Sequence, residues 1–233
     1  MTMEINEALL RGFFPLAGDR LTPHLPFIGP AMSAGNINTP DRVAAFCAEL
    51  AEESGEYRFM AEIADGSEYE GRIDLGNTQP GDGRKFKGEG PMQVTGRTAI
   101  IAVGKHLGID TEKDPTLLRQ PQYATASAVW FWNSAKDCSM SLLADMNWFH
   151  LISRWINGGN NGLEARVKYW DTNRALLKLP FVDITTETES IEKFQAAMGL
   201  EADGVVGPRT IAALIKAQAA ASTTSGARHW WKL

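Results

Sequence analysis

Residues 43–59, VAAFCAELAEESGEYRF, constrain this chain more than any other stretch. Val43, Phe46, Cys47, Leu50 and Ser54 recur at helical spacing and predict a helix with one face in a core. Thr39-Pro40-Asp41 supplies its start, because Thr is a good N-cap and Pro suits the first turn. Ala45, Glu49, Glu52 and Glu56 form a separate line, most simply a solvated acidic face. Glu53 differs: it continues the line Phe46, Leu50, Glu53, Tyr57, at the edge of the apolar stripe. Partial desolvation and the C-terminal end of the helix dipole there favour a protonated acid, the form that a general acid needs. The alternative is a boundary glutamate with no role.

A second carboxylate has to come from elsewhere. Residues 60–83 are rich in Gly, Asp and Glu and lack apolar periodicity, which predicts a long loop, and long loops in compact domains are often functional. The loop offers Glu62, Glu68, Glu70 and Asp74. On a continuous helix Glu62 would face away from Glu53, so the chain must leave the helix near residues 54–57 for the two to share a site. Residues 81–97, GDGRKFKGEGPMQVTGR, follow, with Gly at 81, 83, 88, 90 and 96. They lack the Gly-Lys-Ser/Thr of a phosphate-binding loop, so the glycines indicate tight turns or close approach of a ligand to backbone. Met92 and Val94 alternate with Gln93 and Thr95 as in a short strand, whose polar face would offer Gln93 and Thr95 to a ligand.

The rest of the chain is mainly helical in pattern. Residues 4–17 read as a short helix and residues 21–38 as a Pro/Gly-rich connector. Further helices are expected over 97–109, 122–134, 148–156 and 163–179, the third ending at the glycines after Asn157. Composition then shifts. Residues 181–190 are acidic and Thr-rich and read as a linker. Residues 191–218 read as two short helices around Asp203-Gly204, with Ile191, Phe194 and Met198 inward in one and Ile211, Leu214 and Ile215 in the other. Two such helices cannot bury much core alone, and need a third element or a surface to dock on. Residues 219–233 form a tail ending in His229-Trp230-Trp231.

The 233 residues suffice for one substantial domain and a small second one, here 1–180 and 191–218. A net charge of −5 argues against a nucleic-acid partner, which selects basic patches. No apolar run approaches the roughly 18 residues of a membrane span, and no signal peptide is visible at the start. Cys47 and Cys138 belong to no Cys/His cluster, and the four histidines are far apart, so neither a metal nor another cofactor is expected. Cys47 on the apolar face is expected to be a buried thiol.

Several motifs occur in order along residues 5–179: FCAELAEESGEYRFMAE, EYEGRIDLGNTQPGDGRKFKGEGPMQVTGR, WFWNSAKDC and WINGGNNGLEARVKYW. Together they resemble the phage-type branch of glycoside hydrolase family 19, which contains plant chitinases and lysozyme-type endolysins. IEKFQAAMGLEADGVVGPRTIAAL is similar to the second half of a common peptidoglycan-binding module. The resemblance implies a mainly α, lysozyme-like or chitinase-like catalytic domain with a deep cleft and few short strands, plus a small helical C-terminal module. It maps the general acid onto Glu53 and the general base onto Glu62, with Glu70 as fallback. Thr95 would position the water, and Gln93, Asn157, Tyr57, Arg166 and Glu70 would contact substrate. Glu52 stands where the family usually has His, and Glu89 where it usually has Arg.

The activity so implied is inverting hydrolysis of the β-1,4 glycan of bacterial peptidoglycan, causing lysis, by a monomer without stable membrane insertion. It would be made in the host cytoplasm and act on the periplasmic wall after release. A chitinase on the same fold, a non-catalytic wall-binding protein and a lytic transglycosylase are the alternatives.

Overall fold

A computed structural model describes residues 5–223 of the chain. Their α-helices are Glu7–Phe13 (α1), Leu25–Ala34 (α2), Pro40–Ser54 (α3), Asp82–Lys85 (α4), Arg97–Leu107 (α5), Pro121–Ser134 (α6), Met140–Asp145 (α7), Phe149–Asn157 (α8), Leu163–Leu176 (α9), Glu187–Ala197 (α10) and Pro208–Thr223 (α11). The tail residues His229, Trp230 and Trp231 lie outside the described residues.

The central helix forms as the sequence dictates. Thr39 Oγ1 accepts from Arg42 N, Pro40 occupies the first turn, and Gly55 closes the helix in the left-handed region at φ 53°. Val43, Phe46, Cys47 and Leu50 are fully buried. Helix α3 packs against α9, α7 and α1, and α2 packs against α6. Three aromatic contacts tie these layers. Phe46 meets the Trp132 ring edge-on at 5.4 Å, Phe149 stacks on Trp170 at 4.6 Å, and Trp148 meets Phe194 edge-on at 5.6 Å. A smaller core of Phe86, Val94, Ile100, Val103 and Leu118 underlies the glycine-rich segment. Cys47 and Cys138 are free, buried thiols, and burial pushes Cys138 up to about 11.

Four expectations need correction. The connector over residues 21–38 contains helix α2, with Pro26 in its first turn and Pro30 inside it. Burial overrides Pro30: Ile28 and Met32 are fully enclosed, and Gly35 lies so close to α6 that a Cβ there would meet Val129 Cγ1 at 2.1 Å. The alternating residues 92–95 form no strand. They belong to a turn pinned by an isolated bridge between Glu89 and Val94, and Gln93 has φ 51°. The acidic line is largely buried: Ala45, Glu49 and Glu56 are each 1% exposed or less, and Glu52 keeps partial exposure. Ile215, expected inward, is 48% exposed.

The C-terminal helices dock on the rest of the chain. Ile191, Phe194 and Leu214 join the main core, and Ile211 packs with Cys138 and Leu142. Residues 181–190 include a 3₁₀ turn, Ile184–Thr186, and the first turn of α10. Glu187 there accepts hydrogen bonds from His150 N at 2.7 Å and Leu151 N at 2.9 Å, filling orphan donors at the start of α8. Trp148 Nε1 donates to Ser190 Oγ at 3.1 Å. In the second turn, Gly204 adopts φ 69°, and the buried Gln195 side chain binds Asp203, Val205 O and Gly204 N.

Candidate active site

Glu53 lies in the last turn of α3, partly exposed. Its Oε1 accepts from Arg166 Nη2 of α9 at 2.5 Å. Glu53, expected at the edge of the apolar stripe, is ion-paired there. Arg166 Nη1 also donates to Glu49 Oε2, and Glu49 Oε1 accepts from Ser153 Oγ at 2.5 Å. Burial pushes the Glu49 carboxyl up, to about 7, although Arg166 and Ser153 favour its charged form. Arg166 is 4% exposed, and its Nε has no hydrogen-bond partner.

After Ser54 the chain turns sharply. Gly55, Glu56 and Tyr57 have φ of 53°, 56° and 63°, three left-handed residues in succession, two of them not glycine. Such conformations cost free energy in L-residues and persist where surroundings hold them. Tyr57 N bonds Ser54 Oγ, and Glu56 accepts from Leu16 N at 2.5 Å and Tyr169 Oη at 2.7 Å. This turn takes residues 58–62 off the helix axis.

Glu62 is held by its own set of donors. Its Oε1 accepts from Tyr69 Oη at 2.9 Å and its Oε2 from Gly88 N at 3.0 Å, while its backbone N donates to Gly88 O. Gly88 is the junction of this half of the site. A Cβ there would meet Gln93 Oε1 at 2.7 Å and Glu62 Cβ at 3.2 Å. Gln93 Nε2 donates to Phe59 O and Gly90 O, and Thr95 Oγ1 donates to Gln93 O. The Phe59 ring in turn lies against Gly55. A continuous set of contacts thus runs from the end of α3 through Phe59 and Gln93 to Glu62.

The remaining candidates divide. Asn157 Nδ2 donates to Asn161 O, and the loop it braces ends at Gly162. A Cβ on Gly162 would lie 2.8 Å from Glu52 Oε1 and 3.6 Å from Arg166 Nε, so this loop borders the Glu53 side. Tyr57 does not face a ligand: it is 3% exposed, its Oη pairs with Thr125 Oγ1 and its ring sits between Phe14 and His24. Arg166 is occupied by two carboxylates. Glu70 is also engaged, accepting from Gly81 N and Gly83 N at 2.6 and 2.8 Å, and so fixes the glycine-rich loop. Glu89 is buried and paired with Arg119 through two bonds at 2.5 and 2.6 Å.

Sequence reasoning missed Tyr69, the Gly88 amide, and the pairing of Glu49 with Arg166 and Ser153. Glu49 had one signal, its spacing of four residues from Glu53. Tyr69 lies in an aperiodic loop and had none.

The peptidoglycan binding domain family matches residues 186–214. A glycosyl hydrolase family 19 domain-containing protein of Haemophilus influenzae is 34% identical over 109 residues, covering 47% of this chain and 50% of that protein. Endochitinase At2g43610 of Arabidopsis thaliana is 36% identical over 129 residues, covering 54% of this chain and 43% of its own. The chain thus spans about half the length of the curated relatives it matches. The crystal structure of chitinase C from Streptomyces griseus superposes with a TM-score of 0.62 at 24% identity, covering 75% of this chain and 93% of that one. A class IV family 19 chitinase from Zea mays gives 0.59 at 22% identity, covering 77% and 96%. The chain therefore has the chitinase-like fold of glycoside hydrolase family 19, with sequence similarity to proteins of that family and a peptidoglycan binding domain match at residues 186–214.

Proposed function

We propose that this chain is a peptidoglycan hydrolase of lysozyme type that cuts β-1,4 glycosidic bonds with inversion and lyses bacteria, as a phage endolysin does. One observation carries the reading: a chitinase-like fold and a peptidoglycan-binding segment share one chain and one hydrophobic core. Glu53 is the general acid that protonates the leaving oxygen. Glu62 is the general base that activates water on the opposite face of the sugar. Inverting enzymes keep the two carboxyls about 6.5–9.5 Å apart to leave room for that water. Tyr69 and Gly88 N–H both donate to Glu62, fixing its orientation. Gln93 Oε1 faces the same glycine, and Thr95, which braces the Gln93 backbone, helps position the water. The protein acts on the periplasmic wall after release from the cytoplasm in which it is made.

A chitinase is the second reading, favoured by the endochitinase names of several relatives. Muropeptide mass spectrometry of digested sacculi, beside release from colloidal chitin, separates the two. Reducing-end muramic acid products support a muramidase. Cleavage of chitin with intact sacculi would transfer the assignment to chitin, and anhydro-muropeptides would replace hydrolysis by transglycosylation.

A further inference from the structure

A cavity of about 570 Å³ lies among α2, α5, α6, α7 and α11. Arg42, in the first turn of α3, lines it, whereas Glu53 sits in the last turn of that helix. The rise of an α-helix puts the two positions roughly 16 Å apart along the axis. The cavity is therefore separate from the Glu53 and Glu62 site, and none of the described residues that line it falls within 186–214.

Its walls are held by their own bonds. Asn133 Nδ2 donates to Gly35 O at 3.1 Å, and Ser139 Oγ donates to Asn133 Oδ1 at 2.5 Å. Arg42 donates to Asn36 O at 2.9 Å and to the two Asp145 oxygens at 2.8 and 2.5 Å. Gln218 of α11 reaches the same carboxylate at 3.1 Å. The arginine is thus already matched by a carboxylate. Among the described residues, the side chains of Asn36, His106 and Ser134 and the Trp130 indole N–H have no hydrogen-bond partner. Val129, Ala126 and Leu142 supply apolar wall beside them.

The volume falls within the roughly 300–1,000 Å³ of small-ligand sites, and an apolar wall with a few polar groups is their usual lining. That combination suits a pyranose, whose ring face carries C–H groups and whose edge carries hydroxyls. Trp130 offers a flat, amphipathic surface to the ring face. The Asn36 amide can both donate to and accept from an N-acetyl group. A carboxylate ligand would find Arg42 occupied. We propose that this cavity is a second glycan site, which takes an N-acetylhexosamine unit of a wall polysaccharide and holds the strand away from the bond being cut. Helix α11 gives a second, independent pointer. It runs on from the peptidoglycan binding match and contributes Gln218 to the lining. The site thus joins the family 19 fold to the C-terminal segment. N-acetylglucosamine occurs in chitin and in peptidoglycan, so the site serves whichever polymer is cut.

The test is nitrogen-15 NMR titration of the full chain, carrying Glu53→Gln to keep the probe intact, with chitotetraose and with peptide-free glycan strands. The amides of Asn36 and Ser134 and the Trp130 indole N–H should shift with the tetramer. Shifts with the strands alone would narrow the ligand to N-acetylmuramic acid, and shifts with neither would overturn the proposal. Ser134→Trp blocks the cavity from an exposed position. At an unchanged unfolding midpoint it should abolish those shifts and weaken pull-down on insoluble glycan at least about tenfold. Cleavage of short soluble oligomers should stay at the wild-type rate. His106→Ala, also at an exposed position, removes a lining group instead of adding one and should weaken the same pull-down. Unchanged binding in both variants would overturn the proposal. Cavity shifts without any glycan cleavage would uphold the second site while removing the hydrolase reading.

Discussion

Replacing Glu187 by glutamine should make the unfolding free energy of this chain less dependent on pH. Glu187 is 8% exposed and caps the first turn of α8 through His150 N and Leu151 N. Burial is the largest influence on its carboxyl and pushes it from 4.5 up to about 7, and the two backbone donors and Arg154 do not offset that cost. Between those values the folded chain binds more protons than the unfolded one. The stabilisation is therefore full below about 4.5 and is lost as pH rises through about 7. Each pH unit between the two values is worth about 1.4 kcal/mol, so the full window is worth roughly 3 kcal/mol. Glutamine has no charge to desolvate, and its carbonyl still accepts one of the two N–H groups.

Urea unfolding of both chains, followed by tryptophan fluorescence from about pH 5 to about pH 8, measures this directly. The free-energy difference should move in favour of Glu187→Gln by roughly 2–3 kcal/mol across that range, with the urea slope unchanged. Glu49, also pushed up to about 7 by burial, contributes in both chains and cancels. Parallel curves would show that Glu187 titrates alike in folded and unfolded chains, and the argument from burial would be wrong.

Three further substitutions probe the site and its frame. Glu53→Gln should lower glycan cleavage at least about a hundredfold while leaving sacculus pull-down intact, and retained lysis would remove Glu53 from the chemistry. Gly88→Ala places a methyl 2.7 Å from Gln93 Oε1 and 3.2 Å from Glu62 Cβ, so both must shift. Turnover should drop about a hundredfold with an unfolding midpoint close to wild type, and a normal rate would mean that this half of the site tolerates displacement. Arg119→Ala leaves Glu89, 2% exposed, without its two-bond partner. It should cost about 2–3 kcal/mol in urea unfolding, towards the lower end for a broken buried pair because the arginine is 40% exposed; a loss under about 0.5 kcal/mol would show that water replaces it.

Local signals in the sequence sufficed for the parts of the fold that local physics decides. The start of α3 at Thr39-Pro40, its stop at Gly55 and the start of α11 at Pro208 all follow from capping chemistry. That the chain leaves α3 near residues 54–57 was expected on the condition that Glu53 and Glu62 share a site, and the turn there is present. Helix α2 was illegible because Gly29 and Pro30 oppose it locally, and only the packing of Ile28, Met32 and Gly35 against distant residues decides for it. Residues 92–95 misled in the opposite direction. Their alternation is real, with Met92 and Val94 buried and Gln93 and Thr95 partly exposed, but a left-handed Gln93 serves a turn that no partner strand extends.

The acidic line on α3 shows where helix-wheel reasoning stops. A wheel assigns Glu49 and Glu56 to the face away from the apolar stripe, and for an isolated helix that face meets water. In this fold α9 covers it, and its Arg166 and Tyr169 reach those two carboxyls. Burial of a charged face requires its partners to arrive from another element, here more than a hundred residues along the chain. Arg166 was legible as a candidate through the resemblance of the stretch WINGGNNGLEARVKYW, but its target was not. Pairing it with the dry Glu49 as well as the wet Glu53 turns a surface glutamate into a member of a three-charge unit. Glu53 is held by a guanidinium from α9 that the wheel of α3 alone does not show.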